Sequence, residues 1–338
     1  MKLSRGFWVM LMVGVVCATC AIPGMPQGKT FFQFTDFHFL QIPVVKVGTE
    51  IQVSAMVKNV GPQEGEAYAT FYVDGFLVDT KEVALKPGEK QEVIFSVKFT
   101  KVGMHKVSIG NLEPQLVKVY ESPLDSAVLI IDFDEVQGTV GKEGDLVMDK
   151  SGFGNNGIVR GEVTWVDGVI GKGVCTGKTG YIEIPEAPSL DITGDTITMM
   201  IWFWPDNEED YSDFFTKGDW NVLKMQKPTL INFFAGGWGR GECMASVPEN
   251  WNHNWHHVAG VCDGKTLKLY VDGELVKTLD LEVQGPIGHV DFPWNIGRNA
   301  QCPVGRWTYG RLDEARIYLE ALSADEIKTI YEMTKPKP

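Results

Sequence analysis

"YVDGELVKTL", Tyr270 to Leu279, decides the fold: apolar alternation, then Asp-Gly, then apolar alternation again. Both central residues of a two-residue type I′ turn need positive φ, which Asp-Gly supplies at little cost, so the stretch predicts a β-hairpin. An almost identical stretch, "YVDGFLVDTK", runs from Tyr72 to Lys81. A duplicated domain would carry the likeness across a whole folding unit. Here "GEAYATF" precedes the first copy and "DGKTLKL" the second, while "VALKPGEK" and "DLEVQGPIG" follow, so the likeness dies within a few residues. Two hairpins in two different domains are expected.

At 338 residues and 44% hydrophobic the chain suits two domains, with enough apolar content to fill two cores. Helix signals are nearly absent. Short β-branched and aromatic runs recur between 37 Gly and 17 Pro, which describes sandwiches or barrels and not α/β folds. Of the 10 Trp, Trp8 stands alone near the start and the next is Trp165, so residues 28–120 contain none. A boundary at "YESPLDS", Tyr120 to Ser126, follows. It is short and polar with one proline, a tight connection and not a long linker. Domains are expected over residues 28–121 and 127–334.

Lys2 and Arg5 precede an apolar stretch from Phe7 to Ala18, then small residues and "AIPGMPQG". This reads as a secretory signal peptide over residues 1–27, too short for a comfortable membrane span, which leaves no transmembrane span in the mature chain. Two exits fit: cleavage near Ala18 or Ala21, or lipid attachment at Cys20, where "CATC" is similar to a bacterial lipobox with Cys17 in place of Leu and Thr19 in place of Gly or Ala. The full chain carries a formal charge of −13; without residues 1–27 it keeps 29 Lys+Arg against 44 Asp+Glu, or −15. Such a surface repels nucleic acid and anionic headgroups and favours cations. The other cysteines, Cys175, Cys243, Cys262 and Cys302, fit no zinc spacing. They permit two disulfides in three connectivities, or four buried thiols acting as small apolar residues.

In the first domain "VGTEIQVSAMVKNVG" alternates from Ile51 to Val57, and "EVIFSVKFT" alternates again. About seven such runs suggest an immunoglobulin-like sandwich. With "KNVG", "YVDG" and "LKPGE" in order, residues 32–120 resemble the CARDB family, cell-adhesion-related domains of bacteria. The resemblance implies a spacer or adhesion module without enzymatic activity. The second domain opens with "LIIDFDE", passes "DKSGFGNNG" and "GYIEIPEAPSLDITGDTITMMIWFWP", then "WNHNWHHVAGVCDGKTLKLYVDGELV", "WNIGRN" and "YGRLDEARIYLEALSADEI". This order resembles the laminin-G-like jelly roll of the concanavalin A-like lectin/glucanase superfamily over residues 127–334. The fold class is therefore all-β: an immunoglobulin-like sandwich, a jelly-roll sandwich, and one short C-terminal helix. Ser323 with Glu326 forms a capping box for that helix, and Ile327, Ile330 and Tyr331 give it an apolar stripe. It should pack on the linker or a sandwich edge.

The superfamily includes glycosidases with a Glu-x-Asp-x-x-Glu pattern, whose chemistry needs one carboxylate as nucleophile and another as acid/base. The nearest approach, "EGDLVM" from Glu143, puts Met148 where the second Glu belongs. "DFDE" places Asp132 and Asp134 on one face if it is a strand. A structural cation or a solvated edge explains that pair more simply than catalysis. In "HNWHH", His256 and His257 point to opposite faces of a strand, so one ion cannot easily take both with His253. No catalytic residue is assigned, and no enzymatic activity is expected.

Calcium needs six to eight hard oxygen ligands from flexible carbonyls and carboxylates. "DKSGFGNNG" offers Asp149, Asn155 and Asn156, and "GRLDEA" offers Asp313. The resemblance implies a structural calcium between such a loop and the last strand, here Asp149, Asn155 and Asp313; the alternative is an Asx turn and a strand-end hydrogen bond. The acidic run "PDNEEDYSD", Pro205 to Asp213, reads as a solvated loop. For carbohydrate the argument is aromatic. "ITMMIWFWP" divides into Ile197, Met199, Ile201 and Phe203 for the core and Met200, Trp202 and Trp204 for an outer, concave face. Trp220, Trp238, Trp251, Trp294 and Trp307 could join that face from loops. The expectation is an exported, extracellular or cell-surface, non-catalytic binding or adhesion protein, lipid-anchored or free, that recognises a glycan or an extracellular protein. A glycoside hydrolase or lyase on the same fold, and a purely structural envelope or matrix protein, are the alternatives.

Overall fold

The computed structural model describes residues 31–40, 42–206, 211–302 and 306–336. The stretch expected to be a signal peptide, with Cys17 and Cys20, and part of the acidic run after Pro205 lie outside the described residues. Among the described residues no helix is long and apolar enough to cross a membrane.

The first unit is a two-sheet sandwich. Strands Phe32–Phe39, Glu50–Asn59 and Lys90–Lys98 form one antiparallel sheet. Val44–Lys46, Gln115–Tyr120, Gly103–Ile109, Gly65–Val73 and Phe76–Leu85 form the other, with one parallel pair between Val44–Lys46 and Gln115–Tyr120. Alternation along these strands sends Val53, Val57, Phe71, Phe95, Val107 and Val117 into one core, where Phe71 and Phe95 stack with centroids 5.2 Å apart.

Tyr120 passes into a single 3-10 turn, Pro123–Asp125, capped by Ser122. The junction is tied on both sides: Lys118 Nζ donates to the carbonyls of Ala127 (2.9 Å) and Ser151 (2.8 Å), and the Tyr120 hydroxyl donates to Glu320.

In the second unit two sheets share one corner strand, Gly157–Asp167. Residues 158–161 pair with Gly180–Ile184, and residues 164–167 pair with Lys172–Cys175. The strand turns between sheets at Gly161, whose φ is +76° and where a Cβ would stand 2.1 Å from the Thr179 carbonyl. One sheet continues through Trp294–Ile296, Asp213–Lys217, Asn221–Lys227, Leu230–Ala235 and Cys243–Ser246. The other continues through Gly310–Tyr318, Thr196–Pro205, His256–Asp263, Thr266–Val271 and Glu274–Asp280. Ile197, Met199, Ile201 and Phe203 point into the core between them, as the alternation predicts.

The opposite face of Thr196–Pro205 is not open. The helix Ala324–Thr334, with the Ser323–Glu326 capping box present, lays Ile327 and Ile330 over Met200, Ala259, Val261 and Tyr270. Its apolar stripe finds a sheet face and not merely an edge, and Leu124 of the junction joins the same cluster. "DFDE" also departs from expectation. The strand ends at Ile131, Asp132 accepts the Asp134 N–H (3.2 Å), and Phe133 takes φ +55° so that its ring is buried beside Trp165. A buried aromatic outweighs strand continuation there.

Candidate functional site

Glycines shape the most aromatic cleft of the jelly roll. After Leu230–Ala235 the chain runs Gly236-Gly237, a 3-10 turn Trp238–Arg240, and Gly241. Gly237 and Gly241 hold φ of +85° and +119°, which only glycine adopts readily. Between them Trp238 is thrown outward and is 68% exposed, unusual for so large an apolar ring. The Trp220 ring lies 3.2 Å from where a Gly237 Cβ would be, so the bare backbone lets it close against the turn. Trp220 Nε1 donates to the carbonyls of Ile287 (2.9 Å) and Gly288 (3.0 Å), which fixes the ring. Together with Phe292, Val290, Gln301 and Asp219 these residues line a groove of about 530 Å³.

One wall is built by Arg240, which is buried and donates to the carbonyls of Val283 (3.0 Å) and Gly285 (2.7 Å). The other carries Asp219, whose carboxylate accepts from Asn299 Nδ2 (2.7 Å) and Arg306 Nη1 (3.1 Å). Arg306 also reaches Asp213 at 3.4 Å. Burial pushes the Asp213 carboxyl up to about 6, with Lys224 and Arg306 opposing, and its Oδ1 has no partner among the described residues. The groove is thus an aromatic and glycine surface backed by a rigid polar network, as ligand clefts usually are.

The predicted tryptophans separate. Trp220 and Trp238 share the groove. Trp202 does not line an open face: it is buried, stacked on Tyr331 at 5.6 Å, and its Nε1 donates to Thr334 Oγ1 at 2.9 Å. The helix covers that side of the sheet, so the ring expected on an open face is enclosed. Trp294 is also core, against Phe215, and Trp251 stacks on His256. Trp204 is half-buried, edge-on to Trp255 at 5.9 Å, with Arg311 over its ring. Trp307 is half-buried and packs on Arg298. Phe292, Asp219 and Gln301 went unmarked in the sequence; the one available signal was "GGWGRG", a tryptophan between glycines.

The residues proposed for calcium are tied into hydrogen bonds of the fold. Asp149 Oδ1 accepts the N–H of Ile130 (3.0 Å) and Ser151 (2.8 Å), while Oδ2 accepts Ser151 Oγ (2.6 Å) and the Asn155 N–H (2.9 Å). Asn155 is buried and spends its amide on Val128 and Ser189. Asp313 accepts the N–H groups of Val169 (2.9 Å), Ile170 (3.3 Å) and Glu314 (2.7 Å), and burial pushes its carboxyl up to about 9. The other carboxylates weighed for chemistry also tie turns: Asp134 accepts the Lys172 N–H, and Glu143 accepts from Arg160 and from the Gly161 N–H.

His256 and His257 are both buried on opposite faces. Burial drives the His257 imidazole down to about 3, so it stays neutral between Trp202 and Tyr331. All four cysteines of the second domain are free thiols, and burial holds each above its ordinary value, Cys243 at about 11.

Fold and cleft together define an all-β protein in which a lectin-like jelly roll follows an immunoglobulin-like sandwich. Residues 176–328 match the sequence profile of a laminin-G family described as the concanavalin A-like lectin/glucanases superfamily, and residues 38–114 match that of CARDB. The two matches follow one another along the chain, CARDB first. Similar solved structures include domain 4 of an extracellular arabinanase from Geobacillus stearothermophilus, in complex with arabinotriose: 17% identity, TM-score 0.44, 61% of this chain and 98% of that one. The binding domain of Botulinum neurotoxin serotype G has 13% identity, TM-score 0.48, and covers 61% of this chain and 51% of its own. That of Botulinum neurotoxin DC, in complex with rat synaptotagmin II, has 12% identity and TM-score 0.44 over 63% and 53%. The match spans about half of each toxin chain. No curated protein matches the sequence.

Proposed function

We propose that this is an exported, non-catalytic binding protein whose jelly roll takes carbohydrate in the groove between Trp220 and Trp238. The observation that carries this reading is Trp238, flanked by two positive-φ glycines, 68% exposed, and lining one groove with the ring of Trp220 that its own hydrogen bonds fix. Flat, rigid aromatic faces suit the C–H faces of pyranose rings, and Gln301 and Asp219 at the rim suit hydroxyl groups. A binding role, and not hydrolysis, is favoured because the groove's carboxylate is already engaged by Arg306 and Asn299. Export rests on the basic-then-apolar pattern of residues 1–27.

The test is calorimetric titration of neutral oligosaccharides against the full chain and against Trp238→Ala. Binding should fall at least tenfold in the variant while the unfolding temperature stays unchanged, because an exposed ring contributes little to the core. Equal binding by both proteins would reject the groove. Turnover of any sugar would reject the non-catalytic reading, and mass spectrometry of the mature N-terminus decides whether Cys20 carries lipid.

A further inference from the structure

A second aromatic surface lies beside the strand Asp213–Lys217, to which residues 297, 298 and 308 are hydrogen-bonded. Gly297 N–H donates to the Phe214 carbonyl, Thr216 Oγ1 donates to the Arg298 carbonyl, and Thr308 Oγ1 donates to the Asp213 carbonyl. Arg298 and Trp307 form a β-bridge, so their spacing is fixed by backbone. The Arg298 guanidinium stands 4.3 Å from the Trp307 ring centre and 5.3 Å from that of Tyr181, between two rings that meet edge to face. Lys178, next to the same turn, lies 5.0 Å over Tyr309.

Among the described residues Arg298 makes no ion pair and no side-chain hydrogen bond. The nearest acidic neighbour of Tyr181, Glu183, is taken by Arg160 at 2.6 Å. A guanidinium packed against aromatic rings keeps the planar fork of N–H donors that pairs bidentately with a carboxylate or sulfate. Such a cation, left without a carboxylate in a chain of net charge −13, is out of keeping with its surroundings.

We propose that Tyr181, Arg298 and Trp307, with Lys178 and Tyr309, form a second subsite that binds the acid group of an anionic polysaccharide. This rests on the reading of the jelly roll as a carbohydrate-binding domain and adds the class of sugar. Arg298 pairs with the anionic substituent, and the flanking rings pack the sugar to either side. A sparsely charged polymer fits better than nucleic acid, because the single guanidinium of Arg298 suits an isolated acid group while the whole chain repels a dense polyanion.

The experiment is titration of the full chain, Arg298→Gln and Arg298→Lys with a galacturonic acid oligomer, dextran sulfate, neutral dextran and a single-stranded oligonucleotide. The carboxylated or the sulfated arm should bind, weaken as salt rises, and lose about tenfold or more affinity in Arg298→Gln. Arg298→Lys should recover only part of that, since it keeps the charge and loses the stacked fork. The two anionic arms tell carboxylate from sulfate. Wild-type affinity in both variants, equal binding of neutral dextran, or preference for the oligonucleotide would overturn the proposal. Neutral-sugar binding that is indifferent to Trp238→Ala would instead count against the groove and leave this subsite standing.

Discussion

The turns Asp74-Gly75 and Asp272-Gly273 are built alike to a degree their short sequence match does not disclose. Asp takes φ +51° in one and +50° in the other, and Gly +81° and +78°. Each hairpin carries a bulge just before the turn, at Phe71/Tyr72 and at Leu269/Tyr270. Each Asp uses a neighbouring strand in the same way. Asp74 Oδ1 accepts the Lys106 N–H and its Oδ2 meets His105 Nδ1 at 2.7 Å; Asp272 Oδ1 accepts the His257 N–H and its Oδ2 meets His256 Nδ1 at 2.8 Å. The far nitrogen of each His faces a carbonyl, that of Lys101 or Asn250.

Yet the His strand follows the hairpin in the first domain and precedes it in the second, so the likeness is a shared physical solution on two topologies and not a duplication. What differs is the cover. Gly75 has open space around it and Phe76 beside it is 76% exposed, whereas the helix sets the Tyr331 ring 3.0 Å from a would-be Gly273 Cβ and pairs Lys328 with Glu274. The same turn is a free loop tip in one domain and a buried joint in the other.

Breaking the cover should therefore hurt the second domain alone. Trp202→Ala removes the ring that joins sheet to helix and should cost about 3–5 kcal/mol in denaturant unfolding, with the first domain's transition unmoved. A loss below about 1 kcal/mol would mean that the helix is not a structural part of the sandwich.

His257, under the same helix, sharpens the comparison through pH. Its folded value of about 3 lies below the ordinary 6.5, so as pH falls through 6.5 toward 3 the unfolded chain takes a proton that the folded one refuses. Relative to His257→Gln, the parent should lose roughly 1.4 kcal/mol per pH unit across that window and nothing above it. Parallel stability curves would refute the buried neutral imidazole.

Smaller effects separate the two glycines. Gly75→Ala should cost about 1 kcal/mol, the strain of positive φ alone, and Gly273→Ala roughly twice that, because its methyl also meets Tyr331. Equal costs would show the joint to be loose. Smallest, Ser323→Ala removes the helix cap and should cost about 1 kcal/mol, read in the second domain only.

The candidate sites were legible only in part. Trp220 and Trp238 could be marked as aromatic candidates, but Phe292, Gln301 and Asp219 come from distant segments that meet only in the fold. Trp307 could be marked, while its partners Arg298 and Tyr181 could not, since their contact depends on a β-bridge and on cross-strand register. Asp149 and Asp313 have the composition of cation ligands; the N–H groups they accept from come partly from distant segments that no sequence pattern records.

Alternation and Asp-Gly turns are local, and their physics acts within a few residues, so the all-β class can be read from the residues alone. The sequence also determined which face of Ile197–Phe203 is core and where the last helix begins. That Trp202 is covered and Trp238 is exposed depends on long-range packing. An apolar stripe on a helix states that it must be buried, and the choice among the available sheet faces is made by long-range packing.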